Sequence, residues 1–191
     1  MKKLSLLLLL GSFLSISSAI GQPNNGGIYL TADDFLHSKL SYSVDCKGNP
    51  PGWGSNVLLS NKHFIIKQSG RVYKLSIKDV YAIKYCEGKI VRIYKDGCYT
   101  LLNPDENIQL YEVTQNPVSK GHCATKKYYF SRDARSDIQE LSMDNLKAAF
   151  TDKRSFVDAL NNQVGTDSEL LAYDGFYKIY RLNRIYKANN N

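Results

Sequence analysis

The sequence predicts an α+β fold: an antiparallel β-meander, either a curled sheet or a partly open barrel, preceded by a short helix and followed by two to three helices. Three observations lead there. From Val72 to Val113 apolar and polar residues alternate, interrupted only by short turn signals. From Ser142 onward the apolar spacing changes to about 3.6 residues, the helical period. All four cysteines, finally, follow an N-terminal run laid out like an export signal.

That run, from Met1 to Gln22, has a basic start at Lys2 and Lys3, a leucine-rich middle and a small-residue end. Its apolar middle is shorter than the ~20 residues a spanning helix needs and is diluted by serines. Removal after Ala19 or Gly21 leaves about 170 residues, enough for one domain with its own core. The expected organisation is a signal peptide over 1–21, a flexible lead over 22–27 and one domain over 28–191, strand-rich over 56–141 and helical over 143–187. The chain is therefore expected to be exported, periplasmic or secreted, without stable membrane insertion once the signal is cleaved. Of its net charge of +7, two positive charges belong to Lys2 and Lys3. The remainder fits a scattered solvated surface.

Taken in order, Thr31 with Asp34 forms a capping-box-like start for a helix over Ala32–Ser38. Asp33 and Asp34 then belong to a first turn, where the helix dipole favours negative charge. Residues Asp45 to Ser55 read as a loop holding Cys46 and the lone Trp53 between two glycines. Strands follow at 56–60 and 62–68, and a Ser69-Gly70 turn leads into a strand over 71–77. The meander proper has strands Val80–Cys86, Lys89–Lys95, Cys98–Leu102 and Ile108–Val113. Two-residue turns at Glu87-Gly88 and Asp96-Gly97 join the first three.

Those turns imply a register with Cys86 opposite Lys89, Ile83 opposite Arg92, Tyr94 opposite Tyr99, and Lys95 opposite Cys98. Period two then gathers Tyr81, Ile83, Tyr85, Ile90, Arg92, Tyr94, Tyr99 and Leu101 on one face. The other carries Val80, Ala82, Lys84, Val91, Ile93, Thr100 and Leu102. Both are apolar enough to need cover.

A long loop over Thr114–Ala124 precedes a strand over Thr125–Ser131. One or two helices are expected between Met143 and Val164, with Ser142 as a cap. The capping box Thr166-Asp167-Ser168-Glu169 opens a last helix through about Lys187. Its expected inward residues are Leu170, Tyr173, Phe176, Tyr177 and Tyr180, with Lys178, Arg181 and Arg184 outward.

Cys46, Cys86, Cys98 and Cys123 read as two disulfides in an oxidising compartment. The meander separates Cys86 from Cys98 by ~20 Å along a strand, whereas a bridge needs Cα atoms within ~7 Å. Cys46 and Cys123 are thus expected to take Cys86 and Cys98 as partners, in either arrangement. No C-x-x-C pair occurs and His37, His63 and His122 are far apart, so neither a metal nor another cofactor is expected.

Enzyme signatures are missing as well. There is no G-x-S-x-G, no phosphate-binding glycine loop and no outstanding carboxylate pair. Basic and aromatic residues mix around Lys126 to Phe130, but no nucleic-acid-binding motif accompanies them. The leading expectation is a non-enzymatic module that binds an envelope protein or glycan, or serves a structural role. Its candidate site is Tyr81, Tyr85, Arg92, Tyr94 and Tyr99, where amphipathic rings surround one Arg; Trp53 is a further candidate as a stacking platform. The alternative is a small secreted hydrolase or inhibitor acting through the cysteine-bearing loops Asp45–Ser55 and Thr114–Ala124.

The start Gly27-Ile28-Tyr29-Leu30-Thr31 with Asp34-Phe35, the Val80-Tyr81-Ala82 strand before a Cys-x-Gly turn, and the close Tyr173-Asp174-Gly175-Phe176-Tyr177-Lys178-Ile179-Tyr180 with Asn183 resemble a family of short, uncharacterised exported proteins of Gram-negative bacteria. The resemblance covers most of the chain. It implies export and a strand-rich body followed by C-terminal helices, and no activity or site residues.

Overall fold

A computed structural model describes residues 25–46, 63–68, 71–115 and 124–190. Its strands are β1 (Asn25–Tyr29), β2 (Tyr42–Asp45), β3 (His63–Gln68), β4 (Arg71–Ser76), β5 (Ala82–Lys84), β6 (Ile90–Tyr94), β7 (Gly97–Leu101), β8 (Gln109–Gln115), β9 (Thr125–Ser131), β10 (Gln139–Glu140), β11 (Tyr173–Asp174) and β12 (Ile179–Tyr180). The helices are α1 (Ala32–Leu36), α2 (Met143–Ala149), α3 (Arg154–Gln163) and α4 (Arg181–Asn189), with short 3-10 turns at Ile77–Asp79 and Asp167–Leu171. The fold is α+β. Its centre is an antiparallel sheet of eight strands in the order β10-β9-β8-β7-β6-β5-β1-β2. The sheet ends in two edges and is not a closed barrel.

One face of this sheet has two separate covers. Hairpin β3–β4 lays Phe64 and Ile66 over Ile28, Val44, Ile83 and Val91. Helices α2 to α4 bring Leu146, Phe150, Phe156, Leu160, Leu182 and Ile185 onto Ile108, Leu110 and Phe130. The opposite face is closed by α1, through Phe35, and by the segment carrying Ala134 and Ile138, over Tyr29, Ala82, Ile90, Leu101 and Tyr111. Side-chain caps start α1 and α2, whereas α3 and α4 have none. Thr31 accepts the Asp34 N–H at 3.0 Å to start α1, and Ser142 accepts the Asn145 N–H at 3.2 Å to start α2.

The observed registers differ from those the turn dipeptides imply. Between β5 and β6 the loop is three residues, Cys86-Glu87-Gly88, closed by Tyr85 N–H to the Lys89 carbonyl at 2.8 Å. Gly88 takes φ +89°, the left-handed position such a loop requires. Ile83 therefore pairs with Val91 and not with Arg92. This one-residue slip reverses β5, so that Ile83 and Tyr85 join the face under β3–β4 while Ala82 lies beside Arg92.

Between β6 and β7 the loop is Lys95-Asp96, and Tyr94 pairs with Gly97, Ile93 with Cys98 and Arg92 with Tyr99. Positive φ falls on Lys95, at +43°. Gly97 is needed for another reason: a Cβ there would lie 2.7 Å from the Tyr99 ring. The register moves by two, so β6 and β7 keep their faces.

Asn25 to Gly27, expected in a flexible lead, belong to β1, which runs between β2 and β5. Gly27 is a steric necessity, and Gly26 sits in a tight approach. A Cβ at Gly27 would collide with the Tyr42 carbonyl, and one at Gly26 would lie 3.0 Å from the Lys84 carbonyl and 3.2 Å from Cys86 Sγ. Cys46 and Cys86 form a disulfide here, with Cα atoms 5.6 Å apart, tying the strands that flank β1. Cys98, expected in a second bridge, is a free and exposed thiol. Cys123, Trp53, the strand expected at 56–60 and the expected signal peptide over 1–21 lie outside the described residues.

The largest difference is at 166–187, where one helix is expected. The chain instead forms the 3-10 turn, then hairpin β11–β12, and only then the helix α4. Asp174 explains the break, since its Oδ1 accepts the N–H groups of both Phe176 and Tyr177 at 3.1 Å and so offers the backbone a turn in place of a helical one. Gly175 follows it.

Candidate functional site

Strands β5 to β9 and the residue before them bring Tyr81, Arg92, Tyr94 and Tyr99 of the sequence-predicted cluster together, with Arg92 buried and the three rings partly buried against the core. Arg92 is 4% exposed. Its Nη1 donates to the Tyr111 hydroxyl at 2.7 Å and to Ser131 Oγ at 3.2 Å, and its Nη2 donates to the Ser136 carbonyl at 2.8 Å. The guanidinium lies 5.0 Å from the Tyr81 ring, 5.6 Å from Tyr94 and 5.8 Å from Tyr111. Among the described residues it has no carboxylate partner, and Nε has no hydrogen-bond partner. The charge is accommodated by ring faces and neutral oxygens.

The remainder of the network was missed in the sequence. Tyr111 donates to Gln109 Oε1 at 2.7 Å, and Ser131 Oγ donates to the Asp133 carbonyl at 2.7 Å. Asp133 builds the turn that presents the Ser136 carbonyl, its Oδ1 accepting the N–H groups of Arg135 and Ser136 and the Ser136 hydroxyl. Burial would raise its carboxyl, but the bonds from Ser136 and Arg135 hold it below the ordinary carboxylate value. Tyr81 donates to the Ala134 carbonyl at 2.6 Å. Burial pushes the Tyr81 and Tyr111 hydroxyls above the usual phenol value, against the opposing pull of Arg92. Tyr99 packs edge-on against Tyr129 and Tyr111. Tyr85 is not part of this group. It is buried on the other face, where burial pushes its hydroxyl up to about 12.

Arg92 is buried and Tyr81, Tyr94 and Tyr99 are partly buried; among the described residues the most exposed aromatic rings lie elsewhere. On hairpin β11–β12, Phe176 is 86% exposed, Tyr177 65% and Tyr173 55%. The rings of Phe176 and Tyr177 meet edge to face, with centroids 4.9 Å apart. Beneath them Asp174 Oδ2 accepts Arg184 Nη1 at 3.0 Å while its Oδ1 holds the turn. Tyr177, Ile179, Arg184, Lys187 and Ala188 line an open cleft of about 510 Å³ beside the tip. The four-residue loop ends on Lys178 at φ +52°. The tip therefore combines two bare rings with Lys178, Arg184 and Lys187; Asp174 is occupied by the turn and by Arg184, and Glu106, at the base of the hairpin, accepts the Tyr180 N–H.

A larger cleft of about 1020 Å³ lies beside β4 and the β6–β7 turn, lined by His63, Ser76, Lys78, Ile93, Lys95 and Asp96 among others. Its described lining holds one carboxylate, Asp96. Among the described residues no three His, Cys, Asp or Glu side chains group as metal ligands, and no helix is long and apolar enough to cross a membrane. Comparison of the chain with protein families, with curated proteins and with solved structures gives no match.

Proposed function

We propose that this chain is an exported, non-enzymatic envelope module that binds its partner through the β11–β12 tip. The observation that carries the proposal is the exposure of Phe176 and Tyr177 on a turn fixed by Asp174, next to Arg184 and Lys187. Large rings left in water at the end of a held turn cost solvation and contribute nothing to the core, whereas rings of this kind beside cations are enriched where proteins meet partners. The Cys46–Cys86 disulfide supports export, because such bonds persist in oxidising compartments. The cysteine-bearing loops of the hydrolase or inhibitor alternative lie largely outside the described residues, and no observation favours that alternative.

Cell fractionation tests the proposal. The expected result is an envelope-associated protein with Cys46 and Cys86 protected from alkylation. The double substitution Phe176→Ser/Tyr177→Ser should release it to the soluble fraction without changing its amount. A cytoplasmic protein with reactive Cys46 and Cys86, or envelope association indifferent to the double substitution, refutes it.

A further inference from the structure

We infer that the partner of the β11–β12 tip is an anionic lipid surface, which the protein engages peripherally by placing Phe176 and Tyr177 among the headgroups while Lys178 and Lys187 face lipid phosphates. The inference rests on the binding-module reading and names its ligand class.

Shape is the first ground. The exposed rings sit on a turn of four residues between two-residue strands, and a Cβ at Gly175 would meet nothing within 4 Å. The tip offers two bare rings on a four-residue turn, whereas a stable protein interface draws ~800 Å² from about 20–30 residues per partner. A headgroup layer, in contrast, yields around a small protrusion, and aromatic side chains favour that layer because ring and polar edge are both satisfied there.

Charge is the second ground. Lys178 and Lys187 are exposed, and neither has a carboxylate partner among the described ion pairs. Asp174 neutralises Arg184 and is turned inward on the Phe176 and Tyr177 amides, so the outer rim of the tip is positive. Cations beside an anionic leaflet add attraction that salt screens. Two weak signals, apolar and electrostatic, are what reversible peripheral binding requires.

Helix α4 is not itself the membrane element. Leu182, Asn183 and Ile185 are buried against the body, which leaves the basic side of α4 to back the tip. Nothing in this arrangement spans a bilayer.

The test uses the signal-cleaved protein with its disulfide intact, sedimented with vesicles of phosphatidylcholine alone or mixed with phosphatidylglycerol. Partition into the phosphatidylglycerol vesicles should exceed that into phosphatidylcholine at least tenfold and fall with added salt. Phe176→Ser/Tyr177→Ser should reduce it tenfold or more, and Lys187→Glu severalfold, with unchanged circular dichroism and melting. No partition into phosphatidylglycerol vesicles, or equal partition by the double variant, overturns the inference. If the vesicles fail while envelope retention in cells still depends on Phe176 and Tyr177, the ligand is a protein or glycan and only the lipid assignment falls. Loss of that dependence sinks the binding-module reading itself.

Discussion

Replacing Arg92 measures whether the tyrosine-lined face is interior. In Arg92→Ala three hydrogen bonds disappear, to Tyr111, Ser131 and Ser136, along with the stacking on Tyr81, Tyr94 and Tyr111. Bonds to a charged group contribute about 1.5–3 kcal/mol each, which bounds the loss at roughly 5–9 kcal/mol. Removing the guanidinium also relieves its desolvation, and Tyr111 keeps Gln109 and Ser131 as partners, so the net cost should be about 3–5 kcal/mol. Arg92→Lys keeps the charge but loses the planar fork, since one ammonium cannot reproduce contacts to both the Tyr111 hydroxyl and the Ser136 carbonyl. It should still cost about 1–3 kcal/mol. Arg92→Met fills more of the space than Ala and should fall below the Ala variant. Urea unfolding followed by circular dichroism reads these differences as shifts in midpoint at constant slope. A cost under about 0.5 kcal/mol for Arg92→Ala would mean that the site behaves as surface.

Breaking the Cys46–Cys86 bridge with a Cys46→Ser/Cys86→Ser double variant should cost up to about 4 kcal/mol, from the chain-entropy relation applied to a sequence separation of 40, as read by thermal melting with and without reductant. Gly27→Ala should be as damaging, about 3 kcal/mol or more, because its methyl meets the Tyr42 backbone; Gly88→Ala, with open space but φ +89°, should cost only about 1 kcal/mol. Alkaline pH should unfold the protein. Tyr85, Tyr81 and Tyr111 have native hydroxyl pKa values raised by burial above the unfolded value of about 10, so the stability they contribute is complete below about pH 10 and is lost as pH rises towards the native values. For Tyr85 alone the loss by pH 12 is about 2–3 kcal/mol, and the expected signature is that the share of tyrosinate absorbance belonging to the buried rings appears only together with unfolding. A set of buried tyrosines that ionises near pH 10 in the native state contradicts this.

Much of the sheet was legible because period two survives wherever a strand is half covered. The sequence pattern located β6 to β9 and the caps at Thr31 and Ser142 within a residue or two. Pairing was harder to read than existence. Glu87-Gly88 and Asp96-Gly97 look alike as dipeptides, yet Gly88 supplies a left-handed φ and Gly97 supplies room for a ring. Only the Tyr99 side chain, two residues beyond Gly97 in β7, distinguishes them, and a rule for turn dipeptides does not contain it. The Gly26-Gly27 pair was misread as a lead for the same reason: its cause is the approach of β2 and β5, which are far away in sequence. Around Arg92 the residue types were visible, but a ring of tyrosines about one Arg reads equally as interface or as core. The cover that buries Arg92 and part of each ring comes from Phe35, Ala134 and Ile138, in segments before and after the meander.

The 166–187 segment was misread in the opposite sense, and its error locates the candidate site. Leu170, Tyr173, Phe176, Tyr177 and Tyr180 have helical spacing, so a single helix would have buried them all. Once Asp174 breaks that helix, Phe176 and Tyr177 cannot reach the core, because the segments on both sides of the hairpin are already fixed. Leu170 is buried with α3 and α4 before the hairpin. After it, Asn183 Nδ2 donates to the Ile108 carbonyl at 2.7 Å and its Oδ1 accepts the Ile108 N–H at 2.9 Å, so α4 completes the backbone bonding that β8 lacks ahead of Gln109. Glu106 accepts the Tyr180 N–H at 3.2 Å and is itself held by Asn103. Between these anchors the hairpin has little freedom, and its exposed rings are presented by a rigid base at a small ordering cost. A loose loop could bury such rings by folding back; in the proposed reading the anchored hairpin holds them out, and an external surface takes them out of water.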